Sequence, residues 1–258
     1  MSRLFFNIKL WKATSSIRVM KMLAEQAEMN VFRAVTDSDL PGAVTEGEIE
    51  EDFEDGEGNW HTLPIPYFTC GSCSGYEAEK VKLQYQHLVS QLTRRSAFLT
   101  MFSLFEHRMV GCLDVMNKLS GVETKKTFKT VEDCHKRLTG TIGANDIMDI
   151  DHLTVIRNIM AHSDGVAENY HALIKPNVKT NELQKRQIKA LHRLIKANAC
   201  ISVTDFNNVL MDDGFLDYAV SEFERYVTEV DAAVRQYQKQ NSGVSSGTRQ
   251  RRGNQTVN

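Results

Sequence analysis

Proline punctuates this chain at only four positions, 41, 64, 66 and 176. Residues 67–175 are therefore free of the residue that most strongly breaks helices. The spacing of apolar residues fills that freedom with helical patterns. Residues 77 to about 118 form the longest. Taking Leu88 as zero and advancing about 100° per residue, Leu92, Leu99, Phe102, Met109, Leu113 and Met116 fall in one apolar arc. Residues 3–29 predict another helix, with Leu4, Ile8, Trp11, Ser15, Val19 and Met22 on one stripe. Thr130 to Leu138 reads as a short helix capped by Thr130, with Glu132 and Asp133 in its first turn. Asn145 to His162, Asn181 to Ala197 and Phe215 to Gln240 complete the helical set. Cys200–Val203 is a candidate short strand. The pattern predicts an all-α, up-and-down helical bundle.

One section interrupts it. Residues 30–76 contain Pro41-Gly42, Asp55-Gly56, Gly58-Asn59 and Gly71, which is turn chemistry. Short extended pieces, Val31–Val35 and Trp60–Leu63, flank an acidic run. From Asp37 to Glu57 there are ten acidic residues and no basic one. This is a small irregular or β-hairpin-like insertion whose run (37–59) is a solvated loop, a nucleic-acid mimic, a screen for a basic groove or a partner's docking site. The chain then divides into an N-terminal helix (1–29), the insertion (30–76), a bundle (77–240) and a basic tail (241–258) of disorder-prone composition. The tail's Arg249, Arg251 and Arg252 bear on nucleic acid only weakly.

The five cysteines follow no disulfide framework. Cys70-Gly-Ser-Cys73 is either half a zinc site or a pair of free thiols. No apolar stretch is long enough to span a membrane, and Asn7 and Lys9 break the N-terminal apolar run, so a reducing, cytoplasmic setting is expected. A DNA-binding regulator would need a basic recognition helix, and none is visible.

The chemistry concentrates in Arg157-Asn158-Ile159-Met160-Ala161-His162. On a helical wheel Leu153, Val155, Ile156, Ile159 and Met160 share one side, and Asp151, Thr154, Arg157, Asn158, Ala161 and His162 the other. Arg157 and His162 border a polar face whose middle, Thr154 and Ala161, is small. A guanidinium grips phosphate through its planar fork, and an imidazole moves protons near neutral pH. Such a pair suits metal-independent phosphodiester cleavage, and a symmetry mate would bring two of each to a shared groove. The simpler alternative is a surface pair at a helix end. Glu106 stands out on the preceding helix, in line with Leu92, Leu99 and Leu113, where a carboxylate needs a partner. Arg157 is the candidate.

The Arg-Asn-x-x-x-His pattern at a helix end, after a long helix with Phe105-Glu106 in mid-stripe, resembles the HEPN superfamily (higher eukaryote and prokaryote nucleotide-binding domains). The likeness covers roughly residues 80–240. It implies a dimerising helical bundle and a metal-independent endoribonuclease without cofactor, the effector (toxin) of a bacterial stress or antiviral defence system. It makes Arg157 and His162 the catalytic pair, Asn158 their polar neighbour and Glu106 the supporting acid. RNA, a second copy of the chain, and an antitoxin or nucleotidyltransferase become the expected partners. The alternative within the same likeness is a non-catalytic dimerisation module that pairs with a nuclease or nucleotidyltransferase.

Overall fold

The computed structural model describes residues 7–122 and 128–244. The fold is not all-α. It is mostly helical, but among the described residues five β-strands form two small antiparallel sheets. Helix α1 (Ile8–Ser38) is followed by strands β1 (Thr45–Glu54), β2 (Trp60–Cys70) and β3 (Cys73–Gly75), then by helices α2 (Ala78–Ser120), α3 (Val131–Arg137), α4 (Asp151–His162), α5 (Tyr170–Leu173) and α6 (Glu182–Lys196), strands β4 (Ile201–Val203) and β5 (Val209–Met211), and helix α7 (Phe215–Val244). No helix among the described residues is long and apolar enough to cross a membrane. The chain packs as two compact units, residues 1–22 with 98–258, and residues 23–97.

The smaller unit, residues 23–97, corrects one expectation and decides between the readings of another. The Val31–Val35 stretch is helical rather than extended, because Ala24, Ala27 and Val31 continue a buried helical stripe and tertiary burial outweighs β-branched propensity. Of the irregular and β-hairpin-like readings of the acidic insertion the hairpin is the one present, in a regular sheet of order β1-β2-β3 that supplies most of the strand content excluding an all-α class. β1 pairs with β2 over ten residues, from Thr45↔Thr69 to Glu54↔Trp60. Its alternation of acidic with small or apolar residues has the period of a strand. Asp55 nucleates the turn: one carboxylate oxygen accepts from the Glu57 and Asn59 amides, both at 2.9 Å, and the other from His61 at 2.8 Å. Where α1 and α2 meet in this unit, Arg94 grips both oxygens of Glu28, and Gln86 donates to Ser38.

In the larger unit the core runs through Phe98, Phe102 and Phe105 of α2 and Phe215, Phe223 and Tyr226 of α7, all essentially buried. Phe105 stacks on Phe223 with centroids 4.4 Å apart, and Phe98 meets Phe215 edge-on at 5.1 Å. Such pairs add roughly 0.5–1.5 kcal/mol each beyond the area they bury. The apolar faces differ from expectation in register. On α1 the buried stripe is Leu10, Ala13, Ile17 and Met20, whereas Ile8, Trp11, Val19 and Met22 are exposed. On α2, Phe98, Met101, Phe105 and Cys112 join Phe102, Met109, Leu113 and Met116 in the core, and Leu88 and Leu92 face solvent. Both helices are apolar on more than one face, so periodicity alone cannot choose the face that a neighbour covers.

α3 begins as expected, with a capping box in which Thr130 and Asp133 satisfy each other's backbone amides. α7 runs on to Val244, past the expected start of the tail at 241, and the rest of that tail lies outside the described residues.

Candidate active site

α4 is the helix of the Arg157–His162 segment, and it begins at Asp151 rather than near Asn145. Its apolar side is buried as the wheel requires: Leu153, Val155, Ile156, Ile159 and Met160. Arg157 is partly buried at the edge of that side, and Asn158, Ala161 and His162 are exposed.

Arg157 and Glu106 come together. The Arg157 Nη2 lies 3.2 Å from both carboxylate oxygens of Glu106, with the two side chains about a quarter exposed. The guanidinium carbon sits 5.2 Å from the centroid of the Phe102 ring, a cation–π distance. Phe102 is one turn before Glu106 on α2, so one helix supplies both the carboxylate and the aromatic floor. Only Nη2 is engaged by Glu106; among the described residues Nε and Nη1 have no protein acceptor. Two donors of the fork remain for a ligand. Glu106 does not lie at the centre of the buried stripe, as its alignment with Leu92 and Leu99 suggests. It lies at the stripe's edge, where α4 packs, and that placement is what makes the pair possible.

Asn158 and His162 are one turn apart, and neither has a hydrogen-bond or ion-pair partner among the described residues. His162 is in the last turn of α4. The chain leaves the helix through Asp164 and Gly165, both with left-handed backbone (φ 49° and 82°). The Gly165 amide returns to the Ile159 carbonyl at 3.1 Å, and its own carbonyl accepts from the Val209 amide of β5 at 2.8 Å. Ala167 N–H donates to the Asn207 carbonyl at 2.8 Å, and His171 Nε2 meets the Thr204 carbonyl at 2.8 Å. The β4–β5 hairpin thus clamps the segment that follows His162.

The other end of α4 is held by charges that sequence reading passed over. Arg186 of α6 forks onto Asp151 with Nε at 2.9 Å from both oxygens, and Arg193 reaches Asp149 at 3.0 Å. Burial would raise the Asp149 carboxyl, but the Asp151 amide and Arg193 outweigh it and hold it below its ordinary value. His152 is almost wholly buried, with Nε2 3.2 Å from the Tyr218 hydroxyl and 3.6 Å from Glu222. Burial, helped by Arg193, pushes its imidazole down to about 4, so it is neutral near pH 7. Its signal was available: the wheel puts His152 beside Ile156 and Ile159, on the side that must be covered.

Cys70 and Cys73 pair across the tight turn between β2 and β3, both as free thiols. Among the described residues no three His, Cys, Asp or Glu side chains converge as metal ligands. Compared with known proteins, the chain matches no family, no curated protein and no solved structure.

Proposed function

We propose that the protein is a metal-independent endoribonuclease of HEPN type that works as a homodimer. The observation that carries this reading is the Glu106–Arg157–Phe102 arrangement: an arginine held in place through one nitrogen, with its remaining donors free, at the edge of a polar face that ends in an unpartnered histidine. In this reaction His162 takes the proton from a ribose 2′-hydroxyl, which attacks the adjacent phosphorus. Arg157 neutralises the charge that grows on the phosphoryl oxygens, and His162 of a second copy protonates the departing 5′-oxygen. The products are a 2′,3′-cyclic phosphate and a 5′-hydroxyl end. General acid–base catalysis supplies ~10²–10⁴-fold and electrostatic stabilisation a similar factor, which suits a regulated effector of stress or antiviral defence rather than a digestive enzyme.

Incubation of purified protein with mixed RNA in excess chelator tests the assignment. Cleavage should be lost in both Arg157→Ala and His162→Ala variants whose folding is intact. Undiminished cleavage by either variant would overturn it.

A further inference from the structure

The β1–β2 hairpin has an open edge, and that edge carries a chemical pattern. β1 is an outer strand of its sheet, and among the described residues its ladder hydrogen bonds go to β2 alone. In an antiparallel pair every second residue turns its N–H and C=O away from its partner. Glu48 and Glu50 stand opposite Pro66 and Pro64, and proline has no N–H to give to a ladder. These are therefore the non-hydrogen-bonded pairs. The same parity makes Glu46, Glu48, Glu50, Asp52 and Glu54 the residues whose main chain faces outward. The side chains of those five residues also share one face of the strand. All five are exposed, and none has a cationic partner among the described residues. Glu46 and Glu54 face Phe68 and Trp60 across the ladder, so β2 supplies no neutralising charge either.

The opposite edge of the hairpin is closed over most of the same length: Pro64 and Pro66 remove its donors, β3 covers Phe68–Cys70, and only Thr62 and Trp60 near the turn keep outward N–H groups. A second copy does not fit the β1 edge, because carboxylate rows would then meet carboxylate rows, and like charges opposite one another destabilise a sheet. Nucleic acid is excluded at this edge by the same sign of charge.

We propose that β1 is a docking edge for an extended basic segment of another polypeptide, with Lys or Arg at every second position, which joins the sheet as a strand beside β1. Main-chain hydrogen bonds to the outward groups provide the attachment, and the alternate cations provide the register. The ten residues of β1 offer about 34 Å of edge at ~3.4 Å per residue.

The test uses the full chain and a labelled, end-capped ten-residue peptide of alternating Lys and Val, followed by fluorescence anisotropy and residue-resolved hydrogen exchange. Binding should slow exchange of the Glu46, Glu48, Glu50 and Asp52 amides. Affinity should fall about tenfold in the E46K/E48K/E50K triple variant, whose exposed sites leave the fold intact by circular dichroism. Methylating the peptide's alternate backbone nitrogens on the pairing edge should weaken it comparably. Equal binding of the methylated peptide would show charge adhesion without strand addition and would overturn the proposal. So would undiminished binding by the triple variant, or protection of β1 by an RNA oligonucleotide or by self-association instead of by the peptide.

Discussion

At the scale of single residues, two polar side chains with opposite surroundings decide what α4 can do. Glu106 and the face of Phe102 hold Arg157 without exhausting its donors. Glu106→Gln should lower RNA cleavage by about 10²-fold through loss of arginine positioning, while costing only about 1 kcal/mol of stability, since the pair is partly solvated. Chemical denaturation and cleavage assays on the same preparation separate the two effects. Arg157→Lys retains charge but not the planar fork, so it should recover little of the rate. His152 is the converse case. Its imidazole ionises near 6.5 in the unfolded chain and near about 4 in the folded one. Between these values the unfolded state binds more protons, so stability falls as pH drops from 6.5 towards 4, by on the order of 3 kcal/mol. The lowered Glu222 and Asp149 carboxyls act in the same direction as they are protonated. Melting temperatures across that window should show a shallower decline in His152→Gln. An unchanged slope between about pH 6.5 and 5, above the range in which those carboxyls are protonated, would show that His152 does not carry the acid sensitivity.

Among elements, α4 is positioned from both ends. The Arg186–Asp151 and Arg193–Asp149 pairs fix its start, and the left-handed exit at Gly165, bonded to β5, fixes its end. Gly165 has φ 82°, and a Cβ there would meet only Met160 Sδ at 3.6 Å. Gly165→Ala should therefore cost about 1–2 kcal/mol through backbone conformation rather than through a clash. Loss of cleavage beyond that expected from destabilisation would show that the exit sets the position of His162. Thr130→Ala, which breaks the capping box of α3, should cost about 1 kcal/mol, measured by denaturant midpoint. α4 and the α3 cap were legible because their signals are local: a single apolar side, and Thr130 three residues before Asp133. The strands β1 and β2 were obscured by the six carboxylates of β1 and by the turn residues around them, which resemble a solvated loop until the period-2 alternation of Glu46, Glu48 and Glu50 is noticed.

For the whole molecule, the proposed mechanism makes activity depend on assembly. If His162 of a second copy supplies the acid, specific activity should rise with protein concentration over the range in which sedimentation shows dimer formation, and it should plateau when dimerisation is complete. A concentration-independent specific activity from a monomer would rule out the shared site. Sequence by itself located most of the helical segments, though not the second half of α1, the start of α4 or the short α5, because proline-free stretches with amphipathic spacing have few other ways to satisfy their backbones. It also determined the candidate pair Arg157 and Glu106, because a carboxylate among leucines requires a counter-charge. Only tertiary structure decided which face of α1 and of α2 became core: Ile8, Trp11, Leu88 and Leu92 are as apolar as Leu10 and Phe98, and burial depends on which side a neighbouring helix covers. The wheel already puts His152 on the covered side, and the alternation of Glu46, Glu48 and Glu50 already has a strand's period. But the groups that make His152 a buried neutral base and the acidic run an ordered strand, Tyr218 and Glu222 for the one and β2 for the other, lie outside each segment.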